Sequence, residues 1–350
     1  MYPIWSKFDL KFYIASTTDR FKGGIYLADL DMSSGELSLL KNVDNKEYIS
    51  FITTDSKDEY LYAVSTSNNK IYSYFINQDD KSISLVDSKP LNGLIPCYIS
   101  ITTNNNLLFV ANYNSSNCLV IQIKDGIMNI ADSFVYEGSS QNKVRQESSH
   151  PHSIVPDKYS KFVYVADLGT DKIMIYSINS DEKSISPASP YYKKLKPGSG
   201  PRHLIFYNKY YAYVINELNS TISSLSVDNR SGNITENQII STVPSNYSGT
   251  NWAADIHTKG QFIYASNRGH NSIAVFRIHE ENGKLIYIEN TDVHGEIPRS
   301  FAIDPTGKYI LIANELSNNI TCFIRDYTTG KLIYTGFNLS VPVPQHIKFI

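Results

Sequence analysis

Four short strings in this 350-residue sequence set imidazole and guanidinium groups close together: Ser149-His150-Pro151-His152, Gly200-Pro201-Arg202-His203, Ile297-Pro298-Arg299 and Gln345-His346. A second set carries acids and amides, at Asp167, Asn216-Glu217, Asn267-Arg268 and Asn314-Glu315. Brought together, they would place several cationic or imidazole groups beside carboxylates. Such a cluster binds an anion through charge-assisted hydrogen bonds and has groups to move a proton. His150 and His152 could also be alternate ligands on one strand face. A metal needs a third and fourth ligand, and none is identifiable, so no metal site and no cofactor are expected.

These strings are far apart in the chain, so the fold must bring them together. A short strand recurs along the sequence: Tyr13-Ile14-Ala15-Ser16, Tyr62-Ala63-Val64-Ser65, Phe109-Val110-Ala111-Asn112, Tyr164-Val165-Ala166-Asp167, Tyr213-Val214-Ile215-Asn216, Tyr264-Ala265-Ser266-Asn267 and Leu311-Ile312-Ala313-Asn314. The intervals are 49, 47, 55, 49, 51 and 47 residues. Each copy is followed by a polar turn, an alternating strand such as Ser272–Phe276, and a Gly or Asp/Asn turn. A further strand such as Gly283–Tyr287 comes next, and a fourth precedes the next copy. Runs of Val, Ile, Tyr and Phe bounded by Gly, Asn, Asp and Pro are strand signals, and no long 3.6-residue period competes. Seven units of four antiparallel strands, repeated radially, predict an all-β, seven-bladed β-propeller, with residues 1–350 forming a single domain.

The innermost strands are expected at Ser50–Thr54, Tyr98–Thr103, His152–Asp157, Arg202–Phe206, Ala253–Thr258, Ser300–Asp304 and Gln345–Ile350. The last has no strands after it, and Lys11–Ser16 has no innermost strand before it. The two should pair and close the ring, which removes an exposed edge. The 55-residue interval is accounted for by a polar loop near Gln141–Ser148 on one face.

Strands alternate in direction, so the start of each innermost strand and the end of the next lie on one face, around the mouth of the central channel. Arg202, Glu217, His152 and Arg268 should therefore surround one cavity, as candidate catalytic residues. His150, His203, Asn216 and Arg299 are candidate substrate-binding residues. Structural roles compete for several of them. Arg202 and Glu217 also fit a blade-to-blade salt bridge, and Asp167 and Asn216 fit caps of the turn that follows them. Asp255-Ile256-His257 reads as a buried pair stabilising its own blade. The 26 tyrosines fall mainly at alternating strand positions and are read as packing residues.

The composition excludes several classes. Charged residues at 19% and a formal net charge of −2 argue against a nucleic-acid or anionic-membrane binder. No apolar run approaches the ~20 residues needed to cross a bilayer. Met1–Ser16 lacks the basic-then-apolar pattern of an export leader, and Cys97, Cys118 and Cys322 are too scattered for a disulfide framework. The expectation is a cytoplasmic monomer.

With these motifs laid out, the sequence resembles the seven-bladed lactonase family, which includes propeller-type 6-phosphogluconolactonases and carboxymuconate-lactonizing enzymes. The resemblance spans nearly the whole chain. It is carried by Ser149–His152 with Phe162–Gly169, Gly200–His203 with Tyr213–Thr221, Trp252–His257 with Ser266–His270, and Pro298–Asp304. It implies a polar set of His152 (or His150), Arg202, Glu217 and Arg268, and an anionic lactone as the small-molecule partner. Hydrolysis of 6-phospho-D-glucono-1,5-lactone is the activity it implies first. A muconate-type cycloisomerase and a non-catalytic protein-binding propeller are the alternatives. Three positions differ from the family pattern. Ser115-Ser116 stand where many members have two glycines, Glu315 stands where the last such strand usually ends in Gln, and Gln345-His346 occupy the closing strand.

Overall fold

Alternating β-branched and aromatic runs have one buried side and need a partner sheet for it. In this chain the partner is always the neighbouring blade. A computed structural model describes residues 9–18, 23–179 and 181–350, and its strands form seven four-stranded antiparallel sheets arranged in a ring. Blades one to six start with innermost strands Ile49–Thr54, Pro96–Ile101, Pro151–Pro156, Pro201–Phe206, Trp252–Lys259 and Pro298–Ile303. Blade seven is composite: Pro344–Phe349 is its innermost strand and pairs with Asp9–Ser16, Gly24–Asp31 and Leu37–Asp44 following outward. Pro344–Phe349 also touches the innermost strands of blades six and one, so the ring is closed. The leader reading at Met1–Ser16 falls partly on residues 1–8, which lie outside the described residues.

Among the described residues the buried apolar side chains form seven clusters, one at each blade interface. The centre of the ring is lined by the innermost strands, where aromatic residues such as Phe51 and Tyr98 stand beside His203, Asp255 and His346. Tyrosines do more than fill these interfaces. Tyr164 donates its hydroxyl to Gly232 O, Tyr213 to Gly283 O, Tyr13 to Lys81 O and Tyr264 to Gly330 O, at 2.8–2.9 Å. Each carbonyl lies in an outer turn of the next blade, so a repeated latch runs around the ring.

Every innermost strand begins one or two residues earlier than the sequence pattern suggests, and the reason is a β-bulge at its start. Pro201 pairs with Asn216 and His203 with Ile215, leaving Arg202 as the extra residue. The same slip leaves out Ser50, Cys97, His152, Arg299 and Gln345 in five other blades. In blade five it falls at Ala254-Asp255. A bulge frees one residue from the ladder and re-aims its side chain. Here it does so seven times around one axis.

Candidate active site

Gly200 sets up the centre of the site. Its φ of +64° suits glycine, and a Cβ there would come within 2.5 Å of Leu218 Cγ. Its carbonyl accepts the Glu217 N–H at 2.7 Å, and Asp171 Oδ1 accepts its own N–H at 2.7 Å. Arg202, on the bulge, and Glu217, just past the second strand, are therefore held on the same edge of blade four. In blade five Gly269 has φ +119°, and a Cβ would strike Thr250 O, so the chain can turn sharply just after Arg268.

Glu217 is the hub. Its Oε2 lies 3.0 Å from Arg202 Nε and 2.7 Å from Arg268 Nη2, and its Oε1 accepts from Arg145 Nη2 at 2.5 Å. The Arg202–Glu217 contact is within one blade. This corrects the blade-to-blade alternative, because the bulge puts the two at the same sheet edge; Arg268 is the residue that crosses to the next blade. Both guanidinium groups press on the one oxygen Oε2: Arg268 Nη2 makes the shorter contact, and the Arg202 Nε–H is poorly aligned and left without a hydrogen-bond acceptor. Burial alone would raise the Glu217 carboxyl, but Arg268, Arg202 and Arg145 outweigh it and hold the group at about 2. Burial, with Arg268 and Arg299 adding to it, pulls the Arg202 guanidinium down to about 9.

Asp255 organises the other side. Its Oδ1 lies 2.8 Å from His203 Nδ1, its Oδ2 lies 3.1 Å from His257 Nε2, and Oδ2 also accepts from Phe301 N at 3.2 Å. Despite burial, His257 and His203 hold the carboxyl well below the usual range. An ionised Asp255 can only accept, so His203 Nδ1 carries a proton. Burial, and then Arg202, lower this imidazole to about 4. The ring is then neutral, and its Nε2 faces Arg202 Nη1 at 3.2 Å as an acceptor. Asp255 thus links blades four, five and six. The reading of a pair serving its own blade is too narrow, because the blade-five bulge aims Asp255 inward.

His152 packs edge-on to His203 and Tyr113, with ring centres 5.4 and 5.5 Å apart. Burial, then Arg202, His203 and Arg299, push its pKa well below that of a free imidazole. The contacts form a circuit from His152 through His203, Arg202, Glu217 and Arg145 to Tyr113 and back, the Arg145–Tyr113 link measuring 3.4 Å. His150 stands behind it. Its ring stacks on Tyr113 at 4.4 Å, with Nδ1 on Tyr113 O and Nε2 on Glu147, each at 3.0 Å. Asn216 is not turned into the circuit. Its amide donates to Thr221 Oγ1 and Ser223 Oγ at 3.0 Å, as a cap of the following turn would.

At the channel mouth a cleft of about 700 Å³ is lined by Ser50, Arg299, Glu315 and Gln345, among others. Arg299 Nη1 lies 3.7 Å from Glu315 Oε2, both partly exposed. Among the groups in ion-pair contact here, Arg145, Arg202, Arg268 and Arg299 outnumber the carboxylates Glu217 and Glu315 by four to two. Ser116 takes φ 55° and donates to Ser149 O at 2.6 Å, so that turn serves blade contact.

Sequence reasoning missed Arg145, Tyr113 and Asp255 as members. Tyr113 follows Asn112 as Glu217 follows Asn216, and that parallel could have found it. The extra length of the third interval marked the Arg145 loop, but nothing in the sequence says that it folds inward. Buried Gln146 anchors it, donating to Leu168 O at 2.8 Å.

The comparisons with known proteins agree with this architecture. A family model described as "Lactonase, 7-bladed beta-propeller" matches residues 11–349. A 6-phosphogluconolactonase of Formosa agariphila is 35% identical over 336 residues, 91% of this chain and 94% of that one. A 6-phosphogluconolactonase of Bacillus subtilis is 29% identical, with 97% of each covered. A crystal structure from Lactobacillus plantarum superposes with a TM-score of 0.90 at 29% identity, covering 98% of this chain and 100% of that one. The Pseudomonas aeruginosa periplasmic gluconolactonase reaches 0.91 at 24% identity over 98% and 99%, a likeness of fold alone.

Proposed function

The chain belongs to the seven-bladed β-propeller lactonase family, and from that premise we propose that it hydrolyses a sugar lactone, 6-phospho-D-glucono-1,5-lactone being the substrate its site suits best. Relatives bearing the name 6-phosphogluconolactonase, at 35% and 29% identity over nearly full length, support the reaction class. The observation that carries the reading is the convergence of Arg202, Arg268 and Arg145 on the single buried carboxylate of Glu217, with the Arg202 Nε–H left without an aligned acceptor. Three guanidinium groups around one carboxylate leave excess positive charge and spare N–H donors, which an oxyanion bound beside Glu217 would satisfy.

In this reading Arg202 and Arg268 hold the anionic substrate and stabilise the oxyanion that develops on the lactone carbonyl. Water attacks that carbon, and its proton passes to Glu217 or His152. The tetrahedral intermediate collapses with cleavage of the ring C–O bond, and the proton goes on to the leaving ring oxygen. Both candidate bases have lowered pKa values and are weak, so most of the rate comes from electrostatic stabilisation. A strained sugar lactone already hydrolyses in water, and a weak base suffices for it. His203, oriented by Asp255, fixes the Arg202 guanidinium.

We also place the protein in the cytoplasm as a monomer acting on a free small molecule. Cys97, Cys118 and Cys322 are all buried free thiols, which suits a reducing compartment. No helix among the described residues is long and apolar enough to cross a membrane.

The test is a coupled assay with freshly made 6-phosphogluconolactone, spontaneous hydrolysis subtracted. Turnover on that lactone, and none on a muconate-type lactone, is the expected result. The opposite ranking would assign the same arginines to carboxylate binding in a cycloisomerase.

A further inference from the structure

Three guanidinium groups converge on Glu217, and they are not equivalent. Arg202 and Arg268 sit on blade strands with side chains 2% and 11% exposed, while Arg145 comes from the loop between blades two and three and is 34% exposed. Arg145 alone occupies Oε1, whereas the other two crowd Oε2. Its second partner, the Tyr113 hydroxyl at 3.4 Å, is neutral and distant. The loop is not loose. Asn142 Oδ1 caps its turn, accepting from the N–H groups of Val144 and Arg145, and Gln146 ties it to Leu168 O. The guanidinium is thus delivered by a firm base on a long, half-exposed side chain, with solvent on one side and the hub carboxylate on the other.

We propose that Arg145 is the specificity-determining residue for the substrate's own anionic group: on binding it leaves Glu217 Oε1 for that group, and the departure uncovers the carboxylate oxygen that receives the proton of the attacking water. This rests on the lactonase reading above. An arginine exchanges one oxyanion for another at little electrostatic cost, because its planar fork suits carboxylate and phosphate alike. Glu217 then changes from a carboxylate under three cations to one under two, which raises its basicity only when an anionic substrate is in place. A neutral lactone leaves the pair closed.

Glu217 also feels groups that do not move. Arg202 of blade four and Arg268 of blade five remain in contact, Tyr113 and Cys97 of blade two lie within electrostatic range, and Arg299 of blade six and Asp255 of blade five act on Arg202 behind them. Any change in the pH profile on altering Arg145 is read against this fixed background.

The experiment compares the wild type with Arg145→Ala and Arg145→Lys on 6-phospho-D-glucono-1,5-lactone and on unphosphorylated D-glucono-1,5-lactone. Calorimetric titration with 6-phosphogluconate runs alongside, and thermal melts confirm folding. Arg145→Ala should cut the preference for the phosphorylated lactone roughly tenfold or more, chiefly through KM, and weaken 6-phosphogluconate binding by a similar factor. Arg145→Lys should recover part of both, since it restores charge without the fork. The acid limb of kcat/KM, which reports the free enzyme, should move up by about one pH unit or more in Arg145→Ala. Equal losses on both lactones with an unmoved acid limb would overturn the proposal while leaving the lactonase reading intact. A wild type that neither hydrolyses these lactones nor binds 6-phosphogluconate would remove both.

Discussion

Arg202 and Glu217 are each 2% exposed and meet at 3.0 Å on one edge of blade four, yet the contact leaves the Arg202 Nε–H without an aligned acceptor. A pair built only for stability would align its fork, since a buried ion pair offsets its desolvation cost only with good geometry. The misalignment has a direct consequence for mutagenesis. Arg202→Met should lower kcat/KM by about 10²–10³-fold, the usual cost of removing an oxyanion donor. A loss below tenfold, measured by the lactone assay, would end the role assigned to this residue.

Glu217→Gln separates charge from shape. The carboxyl at about 2 contributes stability that is fully present above the ordinary glutamate range and is lost as pH falls from about 4.5 towards 2. Melting temperature followed across that window should drop more steeply in the wild type than in the variant. At neutral pH the variant should be less stable, since Arg202 and Arg268 would be buried without their counter-charge. Parallel curves for the two proteins would show that Glu217 is not the ionised hub.

A second acid transition should begin higher. Burial holds His203 at about 4 and His346 at about 3. Each is neutral when folded but takes a proton near pH 6.5 when unfolded, so stability is full above pH 6.5 and declines below it. His346 stacks on Phe51 with ring centres 3.8 Å apart and has a buried Nδ1 without a partner. His346→Gln, which does not titrate, should flatten the fall in melting temperature between pH 6.5 and 4. An unchanged slope would mean His346 is not a source of it.

The tyrosine latches make a stability prediction remote from the site. Tyr213→Phe should cost about 1 kcal/mol by removing the hydroxyl from Gly283 O in a buried interface. Urea unfolding should show the shift with lactone turnover unaltered. A neutral result would reduce these tyrosines to packing alone.

The thiols give a simple check of burial. Cys97 and Cys322, both raised to about 12 by burial, should resist a water-soluble thiol reagent in the native protein and react after denaturation. Rapid native labelling of either would contradict the packing described.

The fold was legible because the Tyr-x-Ala-Asn type of strand recurs at a nearly constant interval and each recurrence demands a partner sheet. Ring closure followed from one unmatched strand at each end. The grouping of Arg202, Glu217 and Arg268 was legible for the same reason, since strand direction alone puts strand starts and ends on one face. Asn216 shows where position was insufficient: it stands at the correct strand end, but its short amide reaches Thr221 and Ser223 before it reaches the channel. Arg145 shows the opposite failure. Its placement depends on Gln146 anchoring an irregular loop, a three-dimensional contact with no periodic trace. The bulges escaped notice because one extra residue per blade leaves the alternation of the strands after it unchanged.

Those bulges also bear on how such a scaffold changes its chemistry. The ladder skips Ser50, Cys97, His152, Arg202, Arg299 and Gln345, so their identities are only loosely tied to the hydrogen bonding that holds each sheet together. The axis therefore carries a set of near-independent ports, in which a cation, an imidazole, a thiol, an amide or a hydroxyl can be installed without rewriting the framework. A designer could randomise these ports together and expect most members of the library to fold, with reactivity as the property that varies.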